Sequence, residues 1–230
     1  MRKITKLALA NHVATALASK ESTSFRLSKP QRKEIVKKLL LSQKGLCAYC
    51  ECRITEKEIH VEHFYEQHLF PTQIYDYQDN FILSCQGNTI PIKKEEADEA
   101  KKERVENISC GHKKAKQGHH EVEIDYDLLL NPMEEIAYLF QYNDDGTIEA
   151  SIICKEQNQQ DKVNYTIKRL NLEADRLKNA RVNEIIRMNR ELAELNEEEQ
   201  KEFILSLLEE DQNELTPYYS TIKDNYSFLL

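Results

Sequence analysis

Four cysteines, Cys47, Cys50, Cys85 and Cys110, fall within one 64-residue stretch of this 230-residue chain, the first two as Cys-Ala-Tyr-Cys. Two residues between thiols allow a tight turn that aims both sulfurs at one place, and four such thiols make a closed tetrahedral zinc site. Six cysteines in all are too sparse for a disulfide scaffold, so the pattern reads as metal binding in a reducing compartment. Cys52, two positions from Cys50, is the substitute ligand; Cys154 reads as a small buried apolar residue. No thioredoxin-like βαβ pattern surrounds Cys47 and Cys50, which disfavours redox chemistry.

Between these cysteines lie His60-Val61-Glu62-His63, then Asn80-Phe81-Ile82-Leu83-Ser84-Cys85, and the frame closes on Cys110-Gly111-His112-Lys113-Lys114. Glu58 to His63 and Asn80 to Cys85 read as two strands of a hairpin, followed by a short helix from His112. Such a unit folds positions 62, 63, 80 and 112 toward one place. Phosphodiester cleavage needs an activated water and a cation on the developing charge. His63 is the natural general base, because imidazole takes a proton near neutral pH. Glu62 offers a hard oxygen and His112 a nitrogen for a catalytic Mg²⁺ or Mn²⁺ that would stabilise the leaving 3′ oxygen. Asn80 would orient the base. In a regular strand His60 and Glu62 share one face and His63 the other, so a His60 and Glu62 pairing competes unless a bulge or strand end intervenes. Asp79 similarly rivals Asn80.

The flanks read as mainly helical. Residues 3 to 19 and Ser28 to Leu41 have helical apolar spacing, the second with a Ser28 and Pro30 start. Residues 93 to 106 form a Lys- and Glu-rich stretch. Asn143-Asp144-Asp145-Gly146 marks a turn between short strands at Tyr138 to Tyr142 and Thr147 to Ile152. Residues 162 to 192 and 197 to 210 are again helical, and the tail with Tyr218, Tyr219, Tyr226, Phe228, Leu229 and Leu230 is too apolar to be left in water.

The net charge of −8 is unevenly spread: residues 1–46 carry eleven Lys and Arg against two Glu (+9), residues 47–120 ten against thirteen (−3), and residues 121–230 eleven against twenty-five (−14). The basic front suits phosphates, and Lys113, Lys114 and Lys116 extend it beside His112. The acidic rear suits solvent or a basic protein partner. No run is long enough for a membrane span and no signal peptide is visible, which predicts a cytoplasmic protein with no membrane role.

The order Cys-x-x-Cys, Glu-His-Phe, Asn-Phe-Ile-Leu-Ser-Cys-x-Gly-Asn, Cys-Gly-His-Lys-Lys resembles the HNH endonucleases, and more narrowly their PtuB-like branch of the Septu anti-phage system and of retrons. The likeness extends through the Tyr-x-x-Asp-Asp-Gly hairpin and Leu170 to Leu172, from Pro30 to about Arg190. It departs at Gly111, which separates the last cysteine from His112, and at Glu62, where many relatives carry Asp. It implies an α+β, mainly helical fold with a zinc-stabilised ββα-metal core and a small additional β-hairpin. The divisions are a basic helical region 1–46, the nuclease core 47–120 and a hairpin with acidic helices 121–230 for partner docking. It also implies a nucleic-acid substrate, a PtuA-like ABC or SMC-type ATPase partner and, in retron systems, a reverse transcriptase with its RNA–DNA product. The competing expectation is a non-catalytic zinc module that binds nucleic acid or protein.

Overall fold

A computed structural model of the protein describes residues 1–20, 26–88, 101, 103, 105–115, 123–210 and 213–230. Lys116, His119, His120 and most of the stretch 93–106 lie outside the described residues.

The chain opens in an extended segment instead of the helix expected from residue 3. Its backbone is tied to distant groups: Ile4 N–H donates to the Pro132 carbonyl at 2.8 Å and Leu7 N–H to Ser42 Oγ at 2.9 Å. These bonds replace local helical ones, so helix α1 covers only Asn11–Ala18. Helix α2, Lys29–Ser42, starts on a capping box in which Ser28 Oγ accepts from Gln31 N–H and Gln31 Oε1 accepts from Ser28 N–H. It buries Ile35, Val36 and Leu39. Next, the buried Gln43 amide acts as a strand substitute. Its Nε2 donates to Leu83 O at 2.9 Å and its Oε1 accepts from Leu83 N–H at 2.7 Å, which closes the outer edge of the following hairpin.

That hairpin consists of β1, Ile59–His63, and β2, Phe81–Cys85, paired antiparallel from Ile59↔Cys85 to His63↔Phe81. Its long link holds a 3₁₀ turn at Pro71–Gln73 and helix α3, Tyr77–Asn80, so Asn80 ends a helix just before the second strand. Helix α4, Cys110–Ala115, completes a strand, strand, helix unit. Downstream, β3, Phe140–Tyr142, and β4, Ile148–Ala150, form the second hairpin at the Asn-Asp-Asp-Gly turn. Helices α5, Gln157–Leu170, α6, Asp175–Ala193, α7, Glu197–Leu208, and α8, Tyr219–Tyr226, follow.

One apolar cluster runs from Met1 and Ile4 through Leu39, Phe81 and Leu83 to Leu170 and Leu177, so the four-cysteine unit shares its interior with both flanks. A second joins Ile185, Met188 and Ile204 to Ile222 and Tyr226 and docks Tyr226 and Leu229 of the tail on this same chain, while Phe228 and Leu230 stay exposed. The result is α+β and mainly helical. Among the described residues no helix is long and apolar enough to cross a membrane.

Arg181 fastens the second hairpin to α6. Its side chain is fully buried, Nη1 donates to Gly146 O and Nη2 to Leu172 O, both at 2.7 Å, and its guanidinium lies over the Tyr142 ring. Arg181→Met removes two charge-assisted hydrogen bonds and strands two carbonyls. The expected loss is about 3–5 kcal/mol in urea unfolding; a loss below about 1 kcal/mol would show that this clamp contributes little.

Candidate metal centre and active site

Cys47 and Cys50 occupy a turn closed by a bridge between Leu46 and Arg53 and by Cys47 N–H donating to Cys52 O at 2.9 Å. Cys85 ends β2 and Cys110 begins α4. Gly87 brings these two together: at φ +54° a Cβ there would lie 2.2 Å from Ser109 O, a distance no side chain permits. The Ser109 N–H donates back to Gly87 O at 3.1 Å. All four thiols are buried and their sulfurs lie within 4.8 Å of one another. Cys50 Sγ and Cys85 Sγ are 3.8 Å apart, close to the edge of a tetrahedron with Zn–S bonds of about 2.3 Å. The set fits zinc. Cys85 N–H donates to Cys47 Sγ at 3.4 Å, which supports thiolate character. Arg176 answers the negative centre: burial opposes its charge, but Cys110, Cys50 and Cys85 raise its pKa, and it donates to Ser109 Oγ and to Asn107 O. Cys52 is half-buried beside the cluster without belonging to it, and Cys154 is buried against Leu139 O.

The hairpin faces separate the catalytic candidates. Pairing stays regular to His63↔Phe81, with no bulge at 62 to 63, so His60 and Glu62 project toward α4 and His63 away from it. Glu62 is buried. Its Oε1 lies 2.6 Å from Lys114 Nζ and its Oε2 2.7 Å from His60 Nε2. Burial alone would raise the Glu62 pKa, but the Lys114 charge and the His60 contact hold it down at about 2. The His112 ring stacks at a tilt on His60, centroids 4.5 Å apart. Gly111 roofs this group: a Cβ there would lie 2.7 Å from Glu62 Oε2, so the glycine between Cys110 and His112 makes room for the carboxylate. Glu62 Oε1 is engaged by Lys114 and Oε2 by His60, so an ion between Glu62 and His112 would share these oxygens with both side chains.

His63 lies against the Phe81 ring, edge to face at 4.9 Å. Its Nε2 is 3.0 Å from Ile74 O. A carbonyl only accepts, so Nε2 carries the hydrogen and Nδ1 keeps the basic lone pair, facing the Gln67 amide at 3.3 Å. Burial lowers the His63 pKa, partly offset by the Ile74 contact and the charge of Glu62. Gln73, the residue before Ile74, is held by Asn80. This fully buried amide accepts from Tyr65 N–H at 2.6 Å and donates to Tyr65 O and Gln73 O at 3.2 and 2.9 Å. Asn80 thus ties together the loop that carries Ile74, whereas Asp79 is exposed. Asn80→Ala strands three partly buried groups and should cost about 2–4 kcal/mol in urea unfolding. A change under about 0.5 kcal/mol would remove it as the loop's clamp.

One expected nucleic-acid contact is corrected. Lys114 is 1 % exposed, and its ammonium donates to His63 O and Phe64 O at 2.5 and 2.7 Å besides pairing with Glu62. It cannot reach a phosphate from there. Lys113 is half-buried on the same helix. Sequence reasoning also missed Gln67 and Arg176; neither carries a signal beyond ordinary polar spacing.

No known protein family matches the chain, and no curated protein matches it in sequence.

Proposed function

We propose that this protein is a zinc-braced hydrolase of nucleic-acid phosphodiester bonds, an HNH-type endonuclease with His63 as general base. The observation that carries the reading is the 3.0 Å contact of His63 Nε2 with the Ile74 carbonyl, which calls for a hydrogen on Nε2 and makes Nδ1, 3.3 Å from Gln67 Nε2, the basic nitrogen of the ring. That is what activation of water requires. The four cysteines hold the ends of β2 and α4, and Asn80 holds the loop, so the base is positioned by covalently short, well-buried supports. The +9 charge of residues 1–46 supplies attraction for a phosphate backbone. Backbone contacts give no choice of sequence; the HNH resemblance makes DNA the first substrate and structured RNA the second. From the sequence resemblance we further propose a PtuB-like role: a nuclease effector in an anti-phage complex, released to cut by an ATPase partner.

A second reading is favoured by a specific observation. Among the described residues the four cysteines are the group of His, Cys, Asp and Glu side chains brought together to hold a metal, and the carboxylate of Glu62 is already engaged. This fits a zinc module that binds nucleic acid or protein without cutting. Gel shift and cleavage of supercoiled plasmid and tRNA, with Mg²⁺ or Mn²⁺ present and with the chain alone or with its ATPase, separate the two. Nicked or shortened products support the hydrolase. Retarded but uncut nucleic acid in every condition supports the binding module.

A further inference from the structure

Helix α1 and the loop 71–78 enclose a cleft of about 790 Å³, within the size range of small-ligand sites. Leu17 and Tyr75 supply apolar wall, and Asn11, Lys20, Asp76 and Gln78 supply polar groups around it. The Tyr75 hydroxyl accepts from Arg26 N–H at 3.1 Å, and Lys20 Nζ lies 5.0 Å from the centre of the Tyr75 ring. Lys20 also donates to Arg26 O at 2.6 Å, and an ammonium carries three N–H groups. The side-chain amides of Asn11 and Gln78 are exposed and, among the described residues, hold no hydrogen bond. The loop is the one that serves His63: Ile74 O takes the His63 contact, and the next residue, Tyr75, lines the cleft. Its far end is tied to the N-terminal segment, since Lys6 Nζ donates to Tyr77 O and Gln78 O at 2.5 and 2.6 Å and Tyr77 Oη donates to Leu7 O at 3.0 Å.

We propose that this cleft receives one unpaired nucleobase of the strand that is cut at His63. The inference rests on the hydrolase reading and adds a substrate class to it: a strand whose base is unstacked, either single-stranded or locally opened. A base is a flat apolar face with hydrogen-bonding groups along its edge. Tyr75 offers a ring for stacking, which every base can use, and the Asn11 and Gln78 amides each bring a donor and an acceptor to the edge. Lys20 and the surrounding basic region, +9 over residues 1–46, attract the flanking phosphates. Asp76, whose Oδ1 accepts from Asp79 N–H, opposes an acidic group inside the cleft but not a neutral base. A paired base stays in its stack and cannot enter.

Binding of a fluorescent oligodeoxythymidine strand to the zinc-loaded full chain, at low salt and without added Mg²⁺ or Mn²⁺, reads this apart from cleavage. The comparison strand has the same length but abasic units, so it keeps every phosphate and lacks the bases. Ala14→Phe fills the cleft from α1. It should bind the ordinary strand at least about fivefold more weakly than wild type, the lower end of one base stacked on an aromatic ring, and should bind the abasic strand as wild type does. If Ala14→Phe does not fold, Tyr75→Leu and Tyr75→Phe take its place: the first should show the same loss and the second should bind like wild type. Unchanged affinity for the ordinary strand, or an equal loss on both strands, would overturn the proposal. So would thymidine monophosphate binding as tightly as the strand, which would give the cleft to a free nucleotide. Each of these failures leaves the hydrolase reading standing, because that reading is tested by cleavage with His63 variants.

Discussion

Cys47→Ser should leave the purified chain without zinc and without a cooperative melting transition. Cys47 is buried within the sulfur cluster, and its turn joins the segment after α2 to the end of β2 and the start of α4. Structural zinc contributes about 10 kcal/mol or more in isolated zinc peptides, which matches or exceeds the whole stability of an ordinary domain, about 5–15 kcal/mol. Without the metal, the remaining thiols are packed in a buried cluster that loses its organising charge. Far-UV circular dichroism on heating and zinc content by mass spectrometry report both effects. Cys154→Ser and Cys52→Ser are the controls: neither residue belongs to the four-sulfur group, so both variants should keep about one zinc per chain. Zinc loss in Cys52→Ser, with retention in Cys47→Ser, would reassign the ligands.

His63→Ala should melt close to wild type yet cleave about 10²–10⁴-fold more slowly, the usual contribution of a positioned base. The ring is half-buried, and its contacts with Ile74 O and the Gln67 amide lie in the adjoining loop, so its loss is a local event. The pH dependence carries a further signature. Burial lowers the His63 pKa below its ordinary 6.5, and the base acts when neutral, so the acid limb of kcat/KM should lie below pH 6.5. The same shift sets the sign of its stability contribution. The fold prefers the neutral ring, so the contribution is present above the unfolded value and is lost as pH falls through the lower folded one. An acid limb above pH 6.5 would point to another group as the base.

The four-cysteine frame was legible because ligand spacing is a local property, and the strands around Glu62 and Leu83 because their apolar pattern is short and bounded. The second hairpin was legible from one turn sequence. Residues 3 to 10 were not: their apolar spacing is helical, but Pro132 O and Ser42 Oγ, both far along the chain, claim their backbone. Lys114 was misread for a related reason. A lysine in a Lys-Lys pair reads as exposed, and its partners Glu62, His63 O and Phe64 O lie some fifty residues upstream. The parity of strand β1 was readable in advance, and it already set His60 beside Glu62. The register is unbroken to Phe81, and β1 ends at His63.

The division of labour is the central claim: cysteines brace the unit and His63 does the chemistry. It is tested most directly by incubating plasmid DNA and tRNA with wild type and His63→Ala, each alone and with the proposed ATPase partner, and each assayed for zinc. The account predicts about one zinc per chain in both proteins and cleavage only by wild type. Equal cleavage by the two zinc-loaded proteins would contradict it.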